Sequence, residues 1–176
     1  MGPGFGVWIT GLPASGKSTL AHALAGELAA AGCETEILDS DALRQVLTPN
    51  PTYSDDERDA FYAAMAHVGE LLARHGVAVV FAATANRRLH RDRARRRIER
   101  FIEVFVDCPL ELCMSRDSKG IYRMASAGRS TTVPGVQATY EPPERPEVVV
   151  RSDREAPAAA ARRVMDVLRA RGYLSG

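Results

Sequence analysis

Eight residues, Gly11-Leu12-Pro13-Ala14-Ser15-Gly16-Lys17-Ser18, narrow the possible folds of this chain more than any other stretch in it. They fit G-x-x-x-x-G-K-[ST] in full, with Thr19 next. Such a loop needs a strand before it and a helix after it, because phosphates are held by backbone N–H groups at a helix N-terminus. Both flanks comply. Phe5 to Thr10 is a short apolar, β-branched run suited to a buried strand. From Lys17 to Ala31, Leu20, Leu24 and Leu28 recur at four-residue spacing, and Gly32 closes the helix. Gly16 permits close approach of backbone to phosphate. The Lys17 ammonium suits the β- and γ-phosphates, and the Ser18 hydroxyl suits Mg²⁺. ATP with Mg²⁺ on residues 11 to 19 is the expected ligand.

The alternation of strand and helix continues. Thr35 to Leu38 reads as a second strand, and Asp55 to His75 as a long helix stopped by Gly76. Val77 to Ala83 is almost wholly apolar, as a strand covered on both faces would be. Asn86 to Arg100 reads as a basic helix, Phe101 to Val106 as a strand and Leu110 to Arg116 as a short helix. Residues 117 to 146 have weak periodicity and many Gly, Pro, Ser and Thr, which predicts loops and a lid at about 117–143. Glu147 to Val150 and Ala156 to Arg171 supply a last strand and a closing helix. The expected fold is α/β of the P-loop NTPase type, with about five parallel strands, helices on both faces, and one domain over residues 1–176.

Composition excludes several function classes. A net charge of +1 argues against a nucleic-acid-binding domain that works through an overall positive field. Arg87 to Arg100 holds eight arginines, but Asp92 and Glu99 interrupt it and no aromatic is interleaved. A solvated basic face is expected there, and a nucleotide-dependent nucleic-acid-binding protein is the alternative from a different class. Cys33, Cys108 and Cys113 are odd in number and read as free thiols of a reducing compartment. With no charged leader and no apolar run of membrane length, a cytoplasmic protein that does not bind membranes is expected. His22, His67, His75 and His90 lack a partner motif and read as packing or surface residues. Phe61 and Tyr62 begin a helical core pattern continued by Met65, Val68, Leu71 and Leu72, so Phe61 is expected in the core or as a pocket wall. Of 23 basic residues, only Lys17 and Lys119 are lysines, which singles out both.

Asp39-Ser40-Asp41 ends the second strand, on the sheet edge where open α/β folds bind ligands. A carboxylate there can take a proton from an attacking hydroxyl or hold Mg²⁺. Asp41 also suits the N-cap of an Ala42 to Leu47 turn. Arg44 shares a helix face with Asp41, and Arg58 opens the next helix. Two arginines suit a substrate carrying phosphate or sulfate.

The stretches VWITGLPASGKSTLA, ILDSDALR, YSDDER, RFIEVFVDCPLELCMSRDSKGIY and PGVQATYEPPERPEVVV resemble the adenylylsulfate (APS) kinase family from Val7 to about Leu168. The resemblance implies a P-loop kinase that moves the γ-phosphoryl of ATP to the 3′-hydroxyl of adenylylsulfate, in sulfate assimilation, commonly as a homodimer. It also implies residue roles. Asp39 and Asp41 fall on the family's acidic pair near metal and acceptor hydroxyl. Arg44 and Arg58 fall on the arginines that hold the substrate's phosphosulfate end, and Tyr53 on a phenylalanine that stacks on its adenine. Lys119 falls on the lid lysine that faces the substrate, and Arg116 is implied near the ATP phosphates.

Four positions depart from the family pattern. Ala42 replaces the asparagine after the acidic pair, and Phe61 the asparagine of DRxxN. Ala85 stands at the serine of FISP, and Val133 at the aromatic of FTGI. A lost stacking ring can cost about 1–3 kcal/mol per base. An acceptor other than adenylylsulfate, either nucleotide-linked or another anionic metabolite with a free hydroxyl, is the alternative expectation.

Overall fold

Every residue of strand β1 (Phe5–Thr10) is buried, and its side chains alternate between two separate cores. The computed structural model describes residues 3–174. Phe5, Val7 and Ile9 face helices α1 (Lys17–Ala30) and α7 (Pro157–Ala170), whose Leu20, Leu24, Leu28, Val164 and Leu168 complete one core. Trp8 faces the opposite side, against α3 (Asp55–Arg74) and α4 (Arg88–Arg97). Period-two alternation in a strand covered on both faces requires this division.

The sheet is parallel, ordered β2 (Thr35–Asp39), β3 (Ala78–Ala82), β1, β4 (Phe101–Asp107), β5 (Val148–Arg151). Trp8 pairs in register with Phe81, and their rings stack at 4.6 Å. Such a pair adds about 0.5–1.5 kcal/mol beyond burial. Gly69 of α3 lies over them, where a Cβ would come within 2.1 Å of Phe81 Cζ. Helix α3 therefore seats directly on the aromatic layer, at the cost of a glycine in its interior.

The remaining helices are α2 (Ser40–Leu47), α5 (Leu110–Arg116) and α6 (Ile121–Ser126). The expected five strands and two-sided helical cover are present. Helix α6 is new, a six-residue turn between Gly120 and Gly128 that is too short to show periodicity. Two other expectations need correction. Leu71 is 38% exposed and does not join the core. Helix α4 starts at Arg88, not Asn86, because the Asn86 amide donates to Thr139 O and Ala85 adopts φ +41°. Cys108 and Cys113 are buried free thiols, and Cys33 is half-buried. Among the described residues no helix is long and apolar enough to cross a membrane.

The basic helix is a solvated face only in part: Arg96 and Arg97 are exposed, but its inner arginines are engaged by the protein. Arg91 is 1% exposed and donates to Glu103 Oε1 at 2.6 Å, to Glu141 O at 2.6 Å and to Ala85 O. Arg95 grips Glu147 in a bidentate pair at 2.9 Å, and Glu147 accepts the Glu103 N–H. Burial alone would push the Glu147 carboxyl up, but the Arg95 and Glu103 bonds hold it below the usual range. The Arg91 and Arg95 guanidinium groups are engaged because Glu103 of β4 and Glu147 of the chain returning from the lid converge on this helix. Removing one member of such a buried network leaves the others unpaired. Arg91→Met is expected to destabilise the protein by about 3–5 kcal/mol in urea denaturation. A loss below about 1 kcal/mol would show that the network contributes no more than a surface pair.

Candidate active site

The phosphate loop leaves the sheet at its centre, from β1 between β3 and β4. Gly11 has no room for a side chain, since a Cβ would lie 2.7 Å from Val106 O. Ala14 (φ +59°) and Gly16 (φ +105°) curl the loop through left-handed backbone. Helix α1 then begins with no side-chain cap and no acidic residue in its first turn. Its first N–H groups are thereby left for a ligand, and the helix dipole favours an anion there. The Lys17 Nζ donates to Leu12 O at 2.7 Å. Enclosure by the loop pulls its pKa down to about 8, although Asp41 and Asp39 act in the opposite sense.

Beside the loop, Asp39 is the N-cap of α2. Its Oδ1 accepts the N–H groups of Asp41 (2.8 Å) and Ala42 (3.2 Å), while its Oδ2 accepts the Ser18 hydroxyl at 3.0 Å. The capping role thus belongs to Asp39, and Asp41 is not the cap. The carboxylate two residues earlier does it because α2 starts at Ser40, two residues before the expected turn. Asp41, more than half exposed, ion-pairs with Lys119 of the lid. Lys119 would be pushed down by its partial enclosure, but the Asp41 bond raises it overall.

Arg44 and Arg58 are both buried and flank Tyr53, at 4.9 Å and 5.8 Å from its ring centroid. Tyr53 has φ +56°, a left-handed conformation that costs a non-glycine residue about 1–2 kcal/mol. Glu57 holds it there. Its carboxylate accepts Thr52 N (2.6 Å), Thr52 Oγ1 (2.7 Å), Tyr53 N (3.1 Å) and Arg44 Nη1 (3.3 Å). These bonds keep the Glu57 carboxyl low despite partial desolvation. Arg58 Nη2 donates to Thr132 O of the lid at 2.6 Å. Burial pulls its pKa down, and Arg44 adds to that. Arg44 has one carboxylate partner and Arg58 only a lid carbonyl, an excess of positive charge that suits an anion.

The lid closes the cavity. Tyr122 OH donates to Pro13 O at 2.8 Å, tying the lid to the phosphate loop. Arg116 spans Cys108 Sγ (3.8 Å) and Ser152 O (3.1 Å). Val133 is both a cavity wall and part of a small core with Cys108, Cys113, Tyr122 and Ala125.

The cavity measures about 640 Å³. Pro13, Ala14, Gly16, Lys17, Ser18 and Thr19 line it from the loop, and Asp39, Asp41, Arg44, Tyr53 and Arg58 from the acceptor side. Arg116 and Lys119 line it from the lid. Gly11, Leu12 and Ser15 do not line it. Gly11 and Ser15 are buried beneath the loop, and Leu12 packs against the lid core.

A family model described as adenylylsulphate kinase matches residues 3–151. The chain belongs to the adenylylsulphate kinase family. It is 43% identical over 171 residues to the adenylyl-sulfate kinase of Synechococcus sp. (strain JA-3-3Ab), covering 97% of each chain. It is 40% identical over 150 residues to the probable adenylyl-sulfate kinase of Archaeoglobus fulgidus, covering 85% of this chain and 97% of that one. The Mycobacterium tuberculosis APS kinase CysC, solved with AMPPNP and APS, superposes with a TM-score of 0.91 at 34% identity, over 96% of this chain and 99% of that one.

Within this family member, sequence reasoning passed over Glu57, Tyr62 and Ser152. Tyr62 and Ser152 line the cavity, and Tyr62 OH accepts the Ala85 N–H at 3.1 Å. Only Glu57 carried a signal, the Ser54-x-x-Glu57 capping box. The structure forms half of that box, with the Glu57 N–H donating to Ser54 Oγ, while the carboxylate reaches past the cap residue to the N–H groups of Thr52 and Tyr53.

The depressed pKa of Lys17 has a signed consequence. Its folded value of about 8 lies below the ordinary 10.5, so the ligand-free protein gains stability from this group as pH rises between the two. Phosphates against the ammonium reverse the shift, so nucleotide binding above pH 8 should take up close to one proton. Calorimetry at a fixed pH about one unit above that value, in buffers of different ionisation enthalpy, measures the uptake. Binding without proton uptake would place the Lys17 ammonium away from the phosphates.

Proposed function

We propose that the chain transfers the γ-phosphoryl group of ATP to the 3′-hydroxyl of adenylylsulfate, giving 3′-phosphoadenylylsulfate and ADP. One observation carries this reading. A single cavity is lined by the uncapped start of α1 with Lys17, by the Arg44–Arg58 pair, and by Asp41, which ion-pairs with Lys119. The Mycobacterium tuberculosis kinase holds AMPPNP and APS together, which supports reading the loop and the arginine pair as donor and acceptor sites.

The cavity-lining part of the phosphate loop, Pro13, Ala14 and Gly16 to Thr19, and Arg116 bind and orient the triphosphate. Arg44 and Arg58 take the phosphosulfate end of the acceptor, and the Tyr53 ring packs on its adenine. Asp41 then accepts the proton of the 3′-hydroxyl as its oxygen bonds to the γ-phosphorus, and the β–γ bridging bond breaks to release ADP. Lys17 and Lys119 compensate the charge that spreads over the transferring group.

The Ser18 hydroxyl and Asp39 carboxylate, 3.0 Å apart, form a hard oxygen pair that fits Mg²⁺. Among the described residues no three metal-binding side chains cluster, which suits an ion that takes most of its shell from phosphates and water. When bound, the ion neutralises charge on the β- and γ-phosphates.

Lys17→Ala should lower kcat/KM by at least about 10²-fold, and near-normal turnover would overturn the loop assignment. Asp41→Asn should lower kcat by about 10²–10⁴-fold with little change in KM for ATP, and the opposite pattern would recast it as a nucleotide ligand. An acceptor panel in the same assay separates the readings. Turnover of another anionic metabolite with none of adenylylsulfate moves the acceptor, and salt-sensitive polynucleotide binding without phosphoryl transfer replaces the enzyme.

The reading includes a cytoplasmic homodimer. Light scattering on the eluted protein should give twice the 19.1 kDa chain mass. A monomer would overturn it, as would a hexamer like the APS kinase of Thiobacillus denitrificans (27% identical, over 98% of this chain and 30% of that one, TM-score 0.74).

A further inference from the structure

The Arg44 guanidinium is buried, yet its partners engage only part of it. Both of its hydrogen bonds leave from Nη1, to Glu57 Oε1 at 3.3 Å and Thr48 Oγ1 at 3.5 Å. Its flat face lies on Phe61, with Cζ 3.9 Å from the ring centroid, closer than either tyrosine nearby. A guanidinium has five N–H donors in one plane. A ring against the face and a carboxylate at one corner leave the Nε–Nη2 edge as the part that can meet a ligand. A planar fork binds phosphate or sulfate in a bidentate manner through such an edge.

The platform is rigid. Phe61 is 3% exposed in the core of Trp8 and Phe81, and packs edge-on to Tyr62 at 5.2 Å. Tyr62 is in turn fixed by the Ala85 N–H and by His90, whose ring lies 4.6 Å away. Arg44 therefore rests on the second core and not on a loop. Turning its side chain would give up either the ring or Glu57.

We propose that Phe61 is a positioning residue for the acceptor. Its ring, with Glu57 at Nη1, aims the open edge of Arg44 at the acceptor's anionic group. The inference rests on the reading of Arg44 as acceptor-binding. Leucine at this place keeps an apolar contact but has no negative face for the cation. The guanidinium then samples other rotamers, and ordering it again weakens acceptor binding.

Steady-state kinetics with adenylylsulfate and ATP varied in turn test this. Phe61→Leu should raise the acceptor KM about 3- to 30-fold, the span of a desolvated cation–π contact, and leave kcat and the KM for ATP within about twofold. Phe61→Tyr keeps the ring and should bring the acceptor KM back to within about threefold of the parent. In an Arg44→Ala background, Phe61→Leu should add nothing, because the cation it positions is gone. An unchanged acceptor KM in Phe61→Leu, or additive effects in the double variant, would overturn the inference. If Arg44→Ala alone leaves the acceptor KM unchanged, the underlying reading of Arg44 fails instead, so the two failures are distinct. Each variant is checked by thermal melting. Should Phe61→Leu not melt cooperatively, Phe61→Met takes its place with the same expectation.

Discussion

A helix that begins without a cap at the centre of a parallel sheet is the constraint on which the rest of the structure depends. Four N–H groups at a helix start need partners. Here Gly16 stands at the cap position with no side chain to offer, and the first turn holds no carboxylate. The partners must come from water or from a ligand, and the loop is bent through Ala14 and Gly16 so that one can reach them. Strand β1 can present this loop only because both of its faces and both of its edges are occupied. Neighbouring β3 and β4 and the two helical layers hold its end in place.

The acceptor side is built by the opposite strategy, with most of its polar groups paired within the protein. Asp39 caps α2 with one oxygen and meets Ser18 with the other. Glu57 binds the Thr52–Tyr53 backbone and Arg44 at once. Arg91 and Arg95 lock the return of the lid onto β4. Preorganised dipoles of this kind cost no reorganisation when charge develops. What remains open in the cavity is selective: α1 N–H groups, Lys17, the free edge of Arg44, and the Asp41–Lys119 pair.

Much of this was legible in the residues because it rests on local rules. Strand β1, helix α1 and the phosphate loop follow from periodicity and the spacing of two glycines, a lysine and a serine. Asp39, Arg44, Arg58 and Lys119 were found through motif positions, and all line the cavity. Phe61 shows where such reading stops. Its spacing marks a core residue, which it is, and nothing in one helix reveals that a guanidinium from α2 lies on its ring. The same holds for Arg91, where a run of arginines reads as solvated until the carboxylates of β4 and the lid return arrive. Asp41 and Asp39 exchanged the capping role because a shift of two residues in a helix start decides which carboxylate meets the N–H groups.

By itself the sequence determined the α/β order, the phosphate loop and the chemical types gathered at each strand end. Those features depend on contacts within a few residues, on backbone preference and on the alternation of apolar side chains. Only the tertiary structure decided which charges are spent and which are free. Asp41 and Lys119 lie 78 residues apart, and Arg58 meets the lid 74 residues away. Pairing of that range is set by how the layers pack around β1, because a guanidinium or ammonium takes whichever carboxylate or ring the packing brings within reach.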